Sequence, residues 1–336
     1  MGKLRLWRDV MCTAISISGS DHYFGRTLDL EGTYGEEVVL TPRRYPLPFR
    51  HLATLENHPG IIGMAHIFKD YPLYYDAMNE AGLCMAALNF PGYAHYGNPS
   101  DEGVSVASFE LLPLVLAQCK TVEEALPLLT RLRVTSDCAD RRLPPTDLHW
   151  MLADKSRCIV LEPMKDGLRI YDNPVGVLTN APPFDAQMLH LSNYMHLSPN
   201  APHNRFSNKI ALRPFSRGMG AMGLPGDLSS QSRFVRAAFT KLNSRCDEGQ
   251  HVSQFFHILE TVSQTRGACR LENGSSVITQ YTSCCDVSTG SYCYTTYRNR
   301  RITAVQMRQE YLDSCRLYRR PISAQEDIAY AELRGD

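Results

Sequence analysis

The chain has 336 residues, with Lys+Arg 35 balanced by Asp+Glu 35; 43% of it is hydrophobic and 21% charged. This balance excludes the broad cationic face that nucleic-acid or anionic-membrane binding needs, and it suits a globular protein with a sizeable core. The longest apolar runs, such as 111–117 around Pro113, are far too short to span a bilayer, and residues 1–10 lack the apolar stretch and cleavage site of a signal peptide. The 11 cysteines are scattered without a CxxC pair, so they read as free thiols of a reducing cytoplasm and not as a disulfide framework or zinc site.

In chain order, Cys12–Ser18 alternates as a strand, and His22–Leu28 resumes after the turn-like Gly19-Ser20-Asp21. Glu37–Thr41, Gly60–Phe68 and Gly82–Leu88 are further β-leaning runs. Ala107–Gln118 and Val122–Leu132 read as helices, the second with Thr121 as N-cap and Glu123 and Glu124 in its first turn. Strands follow at Leu148–Ala153, Cys158–Glu162, Leu168–Tyr171 and Gly176–Thr179, then a helix at Phe184–Tyr194 and a Pro/Gly-rich loop from Leu197 to Gly226. Helices at Ser230–Leu242 and Val252–Ser263 precede closing strands near Val277–Ser283, Tyr292–Thr296 and Ile302–Gln306. Hairpin-like turns join many of these strands, so one α+β domain with antiparallel sheets covered by helices is expected.

The chemistry centres on Met11-Cys12. If the chain began at Cys12, one residue would carry both a thiol and an α-amine, with ordinary pKa values of about 8.5 and about 8. The amine would then serve as base for its own nucleophile, and upstream peptide would turn it into an inert amide. Read alone, Cys12 is better taken as a small core residue at a strand start, because buried cysteines are common. Arg26 and Asp29, in YFGRTLD, fold back beside it: the arginine would favour thiolate and the aspartate would hold an α-ammonium, unless the two form an ordinary strand-end ion pair. Asn89 in ALNFPG and Asn180 in VLTNAP end two strands, as turn formers or as donors to an oxyanion. Arg233 falls in the first turns of a helix, where a solvated arginine is the bland alternative. No HExxH, GxSxG or phosphate loop is present.

Taken together, MCTAISIS, YFGRTLD, VVLTPR, IFKDYPLYYDAMNEAGL, LNFPGY, LHWMLAD, VLTNAPPFD and GLPGDLSSQSRFVRAAF resemble the choloylglycine hydrolases across nearly the whole chain from Met11. These N-terminal nucleophile enzymes include bile salt hydrolases and penicillin V acylases. The resemblance implies a four-layer αββα sandwich, Cys12 as mature N-terminus and nucleophile, and Arg26, Asp29, Asn89, Asn180 and Arg233 around it. Residues 1–11 would be absent or removed, leaving 12–336 as one domain. LNFPGY, the DYP stretch and TNAPPFD look more like bile salt hydrolases of Gram-positive gut bacteria than penicillin acylases. The substrates implied are glycine- or taurine-conjugated bile acids, with no metal, cofactor, nucleic acid or membrane partner; penicillin V or another N-acyl amide is the alternative. Leu28, Phe68 and the 134–146 loop fall at the family's acyl-pocket positions, and Arg217 in a loop associated with taurine conjugates, where it would pair with a sulfonate. The loop from Leu197 to Gly223 resembles the tongue that packs between subunits of a homotetramer. A thiol-rich binding or redox protein using Cys284, Cys285 and Cys293 is the reading from another class.

Overall fold

The alternation from Cys12 and the polar break at 19–21 produce a hairpin of β1 (Met11–Ser18) and β2 (His22–Leu30). The computed structural model describes residues 10–334 apart from 101, 141, 142, 144, 248 and 324, so of the expected leader only Val10 and Met11 are described. Next come β3 (Glu37–Thr41), β4 (Ile61–Phe68), β5 (Tyr71–Asn79) and β6 (Cys84–Asn89), a meander of neighbouring strands. β7 (Val104–Ala107) leads into α1 (Leu111–Gln118) and α2 (Val122–Leu129), and β8 (Leu132–Thr135) runs parallel to β7. β9 (Leu148–Ala153), β10 (Cys158–Met164), β11 (Gly167–Asp172) and β12 (Val177–Leu178) follow. Three helices, α3 (Phe184–Leu191), α4 (Ser230–Asn243) and α5 (His251–Glu260), precede β13 (Ile278–Asp286), β14 (Ser291–Thr296) and β15 (Thr303–Gln306). The described chain closes with α6 (Gln309–Leu312) and β16 (Tyr318–Pro321).

Two antiparallel sheets result, ordered β12-β1-β2-β13-β14-β15 and β11-β10-β9-β6-β5-β4-β3-β16. They meet where β1 and β2 touch β6; α1 covers β4, β5 and β6 on one outer face, and α4 and α5 cover β1, β2, β12 and β13 on the other. This is the expected αββα order. The period of two along each strand divides the second sheet's side chains between two cores. Val38, Leu40, Ile62, Met64, Ala86 and Leu88 pack toward the first sheet, whereas Val39, Ile61, Met85, Trp150, Leu152 and Leu161 pack under α1 and α2.

β5, β7, β8, α6 and β16 were not expected, and two expected helices are shorter. β5 was hidden by Pro72 near its start and by a charged residue, Asp76, at its centre; Pro72 sits opposite Ile67, close to the turn at Lys69 and Asp70. Both turn residues have positive φ, 49° and 64°, which matches the twist of a two-residue hairpin. The expected helices at Ala107–Gln118 and Val122–Leu132 lose their outer ends to β7 and β8, because pairing of those two strands satisfies their backbone groups better than fraying helix ends do.

At Gly25 in β2 a side chain has no room: a Cβ there would lie 2.0 Å from the Ser283 carbonyl oxygen of β13. Gly25→Ala is therefore expected to destabilise the protein by about 1–3 kcal/mol, the usual range for overpacking, and to push β13 away from β2, the strand that carries Arg26. Chemical denaturation checks this, and an unchanged midpoint would contradict the close approach.

Candidate active site

Cys12 pairs with Leu28 and Ala14 with Arg26, so alternation points Cys12, Arg26 and Leu28 between the sheets. Thr13, Thr27 and Asp29 then face the α4 side. On the inner face the Arg26 guanidinium donates through Nη2 to the Cys12 sulfur and through Nη1 to the carbonyls of Tyr75 (3.3 Å) and Ala87. Its Nε donates to Thr27 O at 3.1 Å, so the head group is held on all sides.

On the other face, Ser229 caps α4, and Arg233 one turn later is fully buried and not solvated. Arg233 donates to the Cys12 carbonyl, to Thr13 Oγ1 (2.7 Å) and to Asn180 Oδ1 (2.7 Å). The same Asn180 oxygen accepts from the Cys12 backbone nitrogen at 2.9 Å. Asn180 Nδ2 donates to the Asn89 carbonyl at 2.7 Å, and Asn89 Nδ2 donates to the Val10 carbonyl at 3.2 Å. Asp29 lies one step out: its carboxylate accepts from Thr279 Oγ1 (2.6 Å) and Thr27 Oγ1 (3.2 Å), and Thr27 Oγ1 accepts from the Thr13 nitrogen at 3.2 Å. The five other residues nominated from sequence thus gather around Cys12, Arg26 on its sulfur and the rest toward its backbone.

Sequence reading missed the groups that hold them. Thr13, Thr27 and Thr279 are buried hydroxyls on strands, where a threonine looks like any β-former. Ser230 Oγ accepts from the Asn180 nitrogen at 2.9 Å, and Gln187 Nε2 donates to the Asn180 carbonyl at 3.2 Å. Asp76 accepts from Tyr281 OH (2.6 Å), Tyr292 OH (2.7 Å) and Ser283 Oγ (2.8 Å), and the same Ser283 oxygen accepts from the Arg26 backbone nitrogen at 3.1 Å. A lone Asp inside an apolar run was the one visible signal.

Electrostatics follow burial first. Burial pushes the Cys12 thiol above its ordinary value; Arg26 pulls it down, Asp29 pushes it up, and Asn89 and Arg233 pull down more weakly. Burial also raises the Asp29 carboxyl, against Arg233 and the two threonine bonds, and lowers the Arg233 guanidinium. For Arg26 burial acts downward, but Cys12, Tyr281, Asp76 and Asp29 raise it overall.

The sulfur opens on a chamber of about 1100 Å³, mouth included. Leu28, Leu73, Phe109, Leu112, Leu143 and Trp150 form apolar walls, with Arg26 and Asn89 beside the sulfur and His66, Ser108 and Thr146 elsewhere in the lining. Residues 138, 139, 143, 145 and 146 of the expected pocket loop line it, whereas 141, 142 and 144 lie outside the described residues. Phe68 lines an adjoining groove with Phe49 and Tyr71, which shares Leu73, Phe109 and Ala139 with the chamber. Arg217 lies on the exposed loop and does not line the chamber. Cys284, Cys285 and Cys293 are buried free thiols on β13 and β14, raised above their ordinary values by burial. Among the described residues, no cluster of three or more His, Cys, Asp or Glu side chains could hold a metal ion.

While residues precede Cys12, its thiol has a raised pKa and no amine beside it. Alkylation of Cys12 by iodoacetamide in a chain retaining the upstream peptide is therefore expected to be slow at pH 7–8 and to accelerate only above the ordinary thiol range of about 8.5. A plateau already reached at neutral pH would contradict that ordering of burial over Arg26.

Residues 12–319 match the linear amide C-N hydrolases of the choloylglycine hydrolase family. A bile salt hydrolase/transferase of Lactiplantibacillus plantarum is 50% identical over 317 residues, which is 94% of this chain and 98% of that protein. The solved structure of a variant of the conjugated bile acid hydrolase from Clostridium perfringens is 33% identical and superposes with a TM-score of 0.89, covering 96% of this chain and 100% of that one. The penicillin V acylase from Agrobacterium tumefaciens, 20% identical with a TM-score of 0.73 over 92% of this chain and 90% of its own, shares the fold. Fold, buried thiol and the match from residue 12 agree: the chain belongs to the choloylglycine hydrolase family of linear amide C-N hydrolases.

Proposed function

We propose that the chain is a bile salt hydrolase that cleaves the amide joining a bile acid to glycine or taurine, with Cys12 as nucleophile once residues 1–11 are gone. The observation that carries this is the Arg26 guanidinium seated on the Cys12 sulfur in the wall of an apolar chamber. Walls of this kind suit a steroid-sized acyl group. The relative in Lactiplantibacillus plantarum, named a bile salt hydrolase/transferase, supports the substrate class.

In the processed chain the Cys12 nitrogen is an amine held by Asn180 Oδ1, with the Asp29 charge close by. The amine takes the thiol proton, and the sulfur attacks the amide carbonyl while Arg26 favours the thiolate. Carbonyl electrons move onto oxygen, where the Asn89 and Asn180 amides donate. Collapse breaks the C–N bond as the ammonium gives its proton to the leaving nitrogen, and a thioester remains. Water, deprotonated by the same amine, attacks the thioester; the second collapse frees the bile acid and restores the thiol. A second amine in place of water gives acyl transfer. Arg233 holds Asn180 and the Cys12 carbonyl, and so sets the amine's direction.

Two observations support a working enzyme that starts at Cys12. Val10 lines the chamber and its carbonyl takes up the Asn89 amide, where the oxyanion would need it, and the family match starts at residue 12. The exposed Phe206, Leu212 and Phe215 suit the expected tongue between subunits of a homotetramer. Native mass spectrometry of the active enzyme is expected to give four subunits, each beginning at Cys12. A fully active subunit retaining residues 1–11 would remove the amine from the mechanism.

Penicillin V hydrolysis by the same machinery is the second reading. Turnover of taurocholate and glycocholate is expected to exceed that of penicillin V by about tenfold or more in kcat/KM, a difference of about 1.4 kcal/mol in transition-state binding. Equal or faster penicillin V turnover would reverse the choice of substrate.

A further inference from the structure

Next to the two asparagines in the chain, in contact with Thr179 and Phe90, lies a buried pair that the mechanism above does not use. His149 of β9 and Glu162 of β10 are both fully buried, with His149 Nδ1 3.2 Å from Glu162 Oε1. His149 Nε2 is 2.9 Å from the Thr179 carbonyl, and a carbonyl only accepts, so Nε2 carries a proton. Glu162 Oε1 also accepts from the Phe184 nitrogen at 3.0 Å. A proton therefore lies between Nδ1 and Oε1, whichever atom holds it. Thr179 immediately precedes Asn180, and Phe184 begins α3 just after it, so the pair grips both ends of residues 179–184. The His149 ring also stacks on Phe90, centroids 4.4 Å apart and planes 7° off parallel, and Phe90 follows Asn89 in the chain.

We infer that His149 and Glu162 are positioning residues for the oxyanion site: they fix the 179–184 segment and the Asn89–Phe90 turn so that Asn180 and Asn89 aim at one point. A buried polar pair is costly and gives the fold little net stability, so its place is better explained by the geometry it imposes. Neither residue lines the chamber, although His149 lies between the lining residues Leu148 and Trp150 of β9, so the pair reaches the reacting atoms through neighbouring segments. A displacement of about 1 Å at such donors costs on the order of a hundredfold in rate.

The inference rests on the oxyanion role proposed for Asn180, and the test separates the two. In the mature enzyme, His149→Gln puts an amide where Nε2 sits and keeps the bond to Thr179, whereas His149→Asn reaches only the Nδ1 place and loses it. Activity is read as kcat per Cys12 thiol titrated by iodoacetamide, with KM alongside, so that unfolded protein does not count. His149→Asn is expected to lose about tenfold to a hundredfold in kcat with KM within about twofold, and His149→Gln to recover most of it. Glu162→Met against Glu162→Gln repeats the comparison from the other partner, should the His149 variants not fold. Loss of titratable thiol with normal kcat per remaining site, or equal kcat for both members of each pair, would overturn the inference. Asn180→Ala is the control: if it loses kcat and the pair variants do not, only the positioning role falls; if it keeps kcat, the oxyanion role falls and the positioning role with it.

Discussion

The contact between the Arg26 guanidinium and the Cys12 sulfur, closed off between two sheets, is the constraint the rest of the structure answers. A buried cation is tolerable only with countercharge and a full set of acceptors. Arg26 and Arg233 supply two buried positive charges, and Asp29 and Asp76 two buried carboxylates, each at most 1% exposed. The formal sum is zero before the nucleophile is counted. Moving a proton from the Cys12 thiol to a Cys12 amine then adds one charge of each sign and leaves the buried total unchanged. The step that starts the chemistry therefore separates charge over a short distance without adding net charge to the interior.

The sandwich serves that arrangement through the period of two in its strands. Cys12, Arg26 and Leu28 share the inner face, which gives the sulfur its guanidinium and its apolar chamber together. Thr13, Thr27 and Asp29 share the opposite face, where Arg233 arrives from α4. One hairpin thus presents the reacting atom to one layer and its supports to another. A register slip of one residue would exchange the two sets.

Much of this was legible in the sequence, for reasons that differ by element. The β1–β2 hairpin announced itself through alternation and a polar turn, Asn89 and Asn180 through their place at strand ends, and all five residues around Cys12 through the order of the family's motifs. β5 was illegible because its proline and its Asp76 contradict a central strand, and the aspartate is explained by the Arg26 charge and by the hydroxyls of Tyr281, Tyr292 and Ser283, some 205 to 216 residues away. Thr27, Thr279, His149 and Glu162 escaped for the same reason: a buried polar residue is recognised by its partners, and those come from other strands. Phe68 and Arg217 followed from resemblance alone, and neither belongs to the chamber lining described here.

The partners of the β1–β2 hairpin come from the far end of the chain. Asp29 is bound by Thr279 across 250 positions, and the Cys12 carbonyl by Arg233 across 221. Contacts of such separation close late, since a long loop must be ordered before they form. A ribosome synthesising this protein delivers the nucleophile first and two of its supports, Arg233 and Thr279, only late. Until then the thiol lies on a hairpin that lacks α4 and β13. The order of synthesis alone thus delays assembly of the site until most of the chain has been made.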